Sequence, residues 1–181
     1  MIEEWRSVLG YEDRYEISNL GRVKSLTQKK PRILKAHLTY KGRYFVGLCK
    51  DGVRTKGCIH RVLALAFGIV KPHEYVDHID GNTQNNALSN LRPATMSQNQ
   101  ANRKIIPGQH TKYKGVYFHK QRREWRAQIT AHYRKTSLGV FPTDVEAAHA
   151  YDAAAKEKFG AYARLNFPAA RALGGKGSSD G

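Results

Sequence analysis

The sequence predicts an α+β protein, and three observations carry that prediction. Short strand-like runs recur along the 181 residues, separated by Asn, Asp and Gly. Asp51-Gly52 stands between two of those runs, a strong signal for a two-residue hairpin turn. Three further strand-like runs, 113–118, 125–131 and 135–141, precede one helical segment. Strands gathered before a helix, rather than strands alternating with helices, point to antiparallel sheets.

The elements follow in chain order. Residues 5–26 hold two β-type runs around the turn formers Asn19 and Gly21. Residues 27–36 are basic and read as a loop. Residues 43–50 and 53–59 form the arms of the Asp51-Gly52 hairpin, with Cys49 and Cys58 on opposite arms and expected reduced. Residues 60–68 read as a short helix closed by Gly68. Residues 71–104 are rich in Asn, Asp and His and read as a site or loop. Pro107-Gly108 marks a linker over 105–111. After the three later strands, Thr143 with Glu146 forms a capping box, and Ala147, Ala148, Tyr151 and Ala155 offer a small-residue face for packing on a sheet. Residues 169–181 read as a flexible tail.

Composition narrows the partners. The net charge is +16, which points first to nucleic acid and second to an anionic membrane surface. No apolar run is long enough to span a bilayer, no basic amphipathic helix is visible, and two cysteines cannot build a disulfide framework or a four-thiolate zinc site. The charge is uneven in the second half. Residues 112–140 carry Lys112, Lys114, Lys120, Arg122, Arg123, Arg126, Arg134 and Lys135 against the acid Glu124. The helix that follows carries Asp144, Glu146, Asp152 and Glu157 against Lys156 and Lys158. Basic strands facing phosphates and a mildly acidic helix facing solvent would give this split.

The polar stretch Asp77-His78-Ile79-Asp80-Gly81-Asn82, with Asn85, Asn86, Asn90, Asn99 and Asn102, concentrates hard oxygen donors around one imidazole. Such donors suit Mg²⁺, Mn²⁺ or Ca²⁺ better than Zn²⁺. A histidine beside such an ion is suited to taking a proton from water. Turn chemistry explains the same residues without any metal, and neighbours on a regular strand point to opposite sides. Asp77 and His78 therefore serve one site only where the backbone is irregular or the strand ends between them.

His60 to Phe67, Asp77 to Asn82, Asn90-Leu91 and Asn99 together resemble the HNH homing endonucleases of phages and mobile introns. The stretch Trp5 to Ser25 is similar to the NUMOD4 segment that often precedes that nuclease domain. The resemblance implies a ββα-metal nuclease core and a divalent ion, Mg²⁺ first and Mn²⁺ second, with no zinc site. It implies His78 as general base and Asp77 as a metal ligand. Asn90 would hold the loop in shape, and Asn99 would be the second ligand, with Asn102 as the alternative. His60 and Arg61 match too; packing beneath the site and contact with phosphate are equally open to them. Asp80 reads as a turn residue.

Tyr113–Tyr117, Trp125-Arg126-Ala127, Ser137–Phe141, Thr143, Ala147-Ala148, Ala150–Ala154 and Leu165–Pro168 look like an AP2 domain. That family packs a three-stranded antiparallel sheet on one helix and lays the sheet in the DNA major groove. Contact positions then fall on Lys114, Tyr117, His119, Gln128, Thr130, Lys135 and Ser137. Arg122, Arg123, Arg126 and Arg134 nearby are expected to meet phosphates, and Arg126 could also reach guanine. Tyr151 reads as core; for Trp125 core packing and a role at the DNA are both open, packing at least as much as contact.

The expected organisation is a NUMOD4-like segment over 1–41, an HNH domain over 42–104, a linker over 105–111, an AP2-like domain over 112–168 and a tail over 169–181. The expected function is metal-dependent, site-directed cleavage of double-stranded DNA. The alternative is a DNA-binding regulator whose nuclease half is inactive. The expected setting is the cytoplasm of a bacterial host, on a phage or mobile-element gene. No membrane partner is expected; monomer and homodimer are both open.

Overall fold

The computed structural model describes residues 2–105 and 112–168. Most of the expected linker, and the tail, lie outside the described residues. The chain divides after Lys104 into two compact units.

The first unit opens on a four-stranded antiparallel sheet of β1 (Trp5–Ser7), β2 (Tyr15–Ser18), β3 (Val23–Ser25) and β4 (Arg32–Ile33), in that order. The stretch expected as loop thus contains a two-residue edge strand, Arg32 and Ile33, which pairs with Ser25 and Lys24. A second sheet follows: β5 (His37–Leu38), β6 (Tyr44–Lys50) and β7 (Val53–Cys58). Its hairpin turns at Asp51 and Gly52, both in the left-handed region at φ 51° and 77°, as a type I′ turn requires. Cys49 lies opposite Arg54 and Cys58 opposite Phe45, so the two thiols are not cross-strand partners; both are free.

Helix α1 (Ile59–Ala66) follows directly and buries Ile59, His60, Leu63 and Ala64. The core combines Val8, Tyr15, Ile17 and Val23 of the first sheet, Val46 and Leu48 of the second, Ile59 and Leu63 of α1, and Val76 and Leu91. This apolar cluster draws on both sides of position 41.

The Asn-rich stretch is more regular than its composition indicated. β8 (Tyr75–His78) pairs antiparallel with β9 (Leu91–Ala94), with a 3₁₀ turn at Leu88–Asn90 just before β9. Then comes α2 (Met96–Ala101), opened by a full capping box: the Thr95 hydroxyl accepts from the Gln98 amide while the Gln98 side chain accepts from the Thr95 amide. Asn and Gln lack apolar periodicity, so strand pairing and the cap define these short elements.

The second unit is a three-stranded antiparallel sheet, β10 (Val116–His119), β11 (Glu124–Ala131) and β12 (Arg134–Phe141), followed by α3 (Asp144–Phe159). Thr143 caps α3 by accepting from the Glu146 amide at 3.2 Å. Val116 and Ala127 from the sheet pack against Ala147 and Ala148. Gly115 is required where it stands. Its φ is 75°, and a Cβ there would come 2.0 Å from the Tyr151 ring and 2.7 Å from the Gln128 carbonyl. Tyr151 is buried, as expected, and Trp125 packs partly buried against the core. Asp152 does not face solvent: it is buried, and its carboxylate accepts from the amides of Asn166 and Phe167, each at 2.8 Å. The Asn166 side chain in turn bonds both backbone groups of Lys114.

Candidate active site and nucleic-acid interface

β8 carries two polar residues into the interior of the first unit. Asp77 is 5% exposed and His78 3%. The strand runs through both and ends at His78 rather than between them, so the condition expected for a shared site is not met and the two side chains meet different neighbours. What joins them is Asn102, whose Nδ2 reaches both the Asp77 carboxylate and the His78 carbonyl. Asp77 lies opposite Arg92 and meets Asn102, at the end of α2. His78 meets Asn86 and packs its ring 5.2 Å from that of His60 on α1.

The loop between β8 and β9 is held from within. Gly81, at φ 68°, donates its amide to the His78 carbonyl. Asn90 accepts from the Asp80 amide at 3.1 Å and donates to the Asp80 carboxylate at 3.0 Å and the Asn85 carbonyl at 2.8 Å. Asp80 is a turn residue and more. It also takes bonds from Asn82 and Asn85. Burial opposes ionisation of its carboxyl, but these bonds and the nearby His78 outweigh burial and hold its pKa below the usual range.

The state of His78 follows from its partner. An amide oxygen only accepts, so the 3.1 Å contact to Asn86 Oδ1 places a proton on Nε2. Nδ1 then keeps its lone pair. Burial lowers the pKa of the ring; the Asn86 bond opposes this, Arg43 adds to it, and Asp77 and Asp80 oppose it. A neutral imidazole with one free lone pair is a competent proton acceptor near pH 7.

His60 and Arg61 take different parts. His60 Nε2 accepts from Arg43 at 3.2 Å, and its buried Nδ1 has no partner among the described residues. Burial, with Arg43, His78 and Arg61 nearby, pushes its pKa down to about 3. The Arg61 guanidinium donates to the carbonyls of Pro72 and Glu74 and so pins the approach to β8.

On α2, Asn99 is half-buried and Asn102 buried, three residues apart on one face. Asn102 Nδ2 lies 3.1 and 3.0 Å from the two Asp77 oxygens and 2.7 Å from the His78 carbonyl. A carboxylate oxygen and side-chain amide oxygens are hard donors that fit Mg²⁺ or Mn²⁺. Among the described residues no three His, Cys, Asp or Glu side chains cluster to hold an ion. An ion here would take few protein ligands and complete its shell with water and phosphate oxygens, as Mg²⁺ does.

In the second unit, strand alternation separates two faces. Val116, Ala127 and Ile129 are buried beneath the sheet. Tyr117 pairs with Arg126 and His119 with Glu124, while Gln128 pairs with Ser137 and Thr130 with Lys135. A bulge between Ala127 and Gln128 keeps Ser137 and Lys135 in step with this set. Seven expected contact residues, Tyr117, His119, Arg126, Gln128, Thr130, Lys135 and Ser137, therefore share the face away from the core. Arg126 is bound to Glu124 at 2.5 and 2.9 Å. Arg122 and Arg123 are exposed in the β10–β11 turn, and Arg134 is exposed at the start of β12. Lys114 precedes the sheet and is half-buried.

Known families match three successive segments. Residues 3–49 match the NUMOD4 motif, 58–101 the HNH endonuclease family and 111–161 the AP2 domain. The segment that matches the HNH endonuclease family lies between those that match the NUMOD4 motif and the AP2 domain. It is 37% identical over 105 residues to DNA endonuclease I-HmuI of Bacillus phage SP01, covering 55% of this chain and 56% of that one. It is 39% identical over 71 residues to Protein 3.8 of Escherichia phage T7, covering 39% and 59%. The AP2 segment is 53% identical over 47 residues to Dehydration-responsive element-binding protein 2A of Arabidopsis thaliana, covering 25% and 14%. A structure of I-HmuI, described as DNA binding and cleavage by the HNH homing endonuclease, aligns over 54% of this chain and 55% of that one with a TM-score of 0.49. The chain thus spans little more than half of its phage relatives.

Around the polar cluster at Asp77 and His78, three residues carry no signal in sequence alone. Asn86 is one amide among many, Arg92 faces Asp77 only once the register is known, and Arg43 reaches His60 from the turn before β6. In the NUMOD4 motif, the Asn19 carbonyl accepts from the Leu88 amide at 2.7 Å, so this motif touches the catalytic-loop candidate directly.

Proposed function

We propose that this chain is a site-directed DNA endonuclease in which the HNH domain hydrolyses a phosphodiester and the AP2 domain supplies the address. The observation that carries the reading is the pairing of His78 with Asn86 beside a buried Asp77. His78 Nδ1 takes a proton from a water. The oxygen of that water attacks phosphorus, the bond to the 3′-oxygen breaks, and a 5′-phosphate remains. Asn86 keeps the His78 proton on Nε2, and Asn90 keeps the loop closed so that Nδ1 stays in place. Asp77 and Asn99, with Asn102 as alternative partner, would hold a divalent ion, Mg²⁺ or Mn²⁺, which when bound supplies positive charge against that developing on the phosphate and the departing oxygen. One such site cuts one strand per engagement, so double-strand cutting needs a second copy or a second binding event.

The AP2 domain presents Tyr117, His119, Gln128, Thr130, Lys135 and Ser137 on one face, a set suited to base edges, with Arg122, Arg123 and Arg134 flanking it for phosphates. The phage relatives support a setting in the cytoplasm of a bacterial host, on a phage or mobile-element gene. Plasmid DNA incubated with Mg²⁺, with and without EDTA, separates this reading from a regulator with an inactive nuclease half. His78→Ala should bind DNA as the wild type does and lose cutting. Equal cutting by that variant would sink the assignment of the base.

A further inference from the structure

Asp77 is a crowded carboxylate. Its Oδ2 accepts from Nε and Nη2 of Arg92, at 2.9 and 2.8 Å, and lies 3.0 Å from Asn102 Nδ2. Its Oδ1 lies 3.1 Å from the same amide. The two partners face each other across the hairpin, both shielded: the Arg92 side chain is 15% exposed and that of Asp77 6%. A buried carboxylate without a cation would be costly, because the charge leaves water uncompensated. Arg92 supplies that cation from within the chain.

We propose that Arg92 is a resident counter-cation for Asp77, one that keeps the site folded without metal and lowers its affinity for a divalent ion. The inference rests on Asp77 being a metal ligand, as in the function proposed above. A guanidinium clamped on Oδ2 holds Asp77 in one orientation, which favours ligation. It also sets a positive charge beside an incoming cation and withdraws electron density from the carboxylate, which opposes ligation. In a shielded site charge repulsion is weakly screened, so the second effect dominates. The consequence is a site whose metal affinity is set low, with an ion held firmly only when DNA phosphate oxygens add to the ligand set.

The test is Mn²⁺ binding to the full chain without DNA, by calorimetric titration, for wild type, Asp77→Asn and Arg92→Gln. Thermal melts in EDTA and in saturating Mn²⁺ accompany it. Arg92→Gln should bind Mn²⁺ about tenfold more tightly than wild type. It should also melt lower in EDTA and gain more from Mn²⁺. Unchanged or weaker binding would overturn the counter-cation role while leaving Asp77 as ligand. Equal Mn²⁺ binding by wild type and Asp77→Asn, or none by any of the three, would overturn the ligand reading and this proposal with it. Should Arg92→Gln fail to fold in both conditions, Arg92→Lys decides. A lysine keeps the positive charge but cannot hold the carboxylate with a fork of two donors, so the affinity of that variant should stay at or below that of wild type. A rise of about tenfold there would show that the charge is not what lowers affinity and would overturn the proposal.

Discussion

A Cβ placed on Gly21 would lie 3.0 Å from Cβ of Asn86 and 3.1 Å from its carbonyl oxygen. The turn between β2 and β3 in the NUMOD4 motif is therefore in contact with the residue that sets the proton on His78. Gly21 is held at φ 80°, so the position is closed to side chains by its backbone as well as by its neighbour.

Gly21→Ala should disturb both stability and catalysis. The left-handed backbone and the close approach together should cost about 1–3 kcal/mol, a fall in melting temperature of several degrees. Asn86 should also be displaced, loosening the His78 tautomer. Plasmid cutting should fall about tenfold, measured well below the melting temperature and with DNA binding scored separately. Full cutting with a lowered melting temperature would show that the contact supports the fold alone.

His60 gives the HNH domain an acid sensitivity of definite sign. Its folded pKa is about 3, against an ordinary value of 6.5, because burial disfavours the charged ring. Below pH 6.5 the unfolded chain takes up a proton that folded His60 refuses. The stability present above 6.5 is therefore lost progressively as pH falls toward 3, at no more than about 1.4 kcal/mol per pH unit. Urea denaturation in EDTA at pH 7.5, 6 and 5 should show wild type weakening faster than His60→Gln, which cannot titrate. Parallel pH profiles for the two proteins would refute this account of His60.

The contrast between what was and was not legible follows from this geometry. The Asp51-Gly52 hairpin and the three-strand-plus-helix unit were readable, because turn chemistry, strand runs and a capping pair act over a few residues. Asp77, His78 and Asn90 stood out in the sequence only through the family resemblance, since turn chemistry explains the same residue types. Their partners did not stand out. Asn86, Arg92 and Arg43 reach the site through register and loop closure, which depend on contacts distant in sequence. The β8–β9–α2 stretch was opaque for another reason: its short elements are defined by backbone pairing and the Thr95 cap rather than by apolar periodicity. Asp152 misled for a simple cause. An acid on a helix normally faces water, and only the returning chain at Asn166 and Phe167 gives it buried partners.

Asp152→Ala should release that returning segment. Two charge-assisted bonds from backbone amides would be lost, and both amides would need new partners. A loss of about 3 kcal/mol is expected in the AP2 domain. Limited proteolysis should reveal earlier cleavage around residues 163–168, with the HNH domain resistant as before. Asp152→Asn, able to satisfy one amide through its single oxygen, should fall between. An unchanged melting profile for Asp152→Ala would remove the clamp from the account of this unit.

The two classes of side chain on and around the AP2 sheet should separate in DNA binding. Arg122 and Arg134 flank the face and are exposed, so they are placed for phosphates, whose contacts release counterions but carry no sequence information. Replacing both with Ala should weaken binding about equally for all DNA sequences and reduce the slope of log affinity against log salt by about 2. Gln128 lies mid-strand on the same outward set as Ser137, its cross-strand partner, and carries no charge. Gln128→Ala should leave the salt slope intact and cost about 1–3 kcal/mol on preferred sites alone, most simply at an adenine. Binding selections on randomised DNA across a salt series would measure both effects at once. A Gln128→Ala variant that weakens every sequence equally would assign this face to backbone contact instead of base reading.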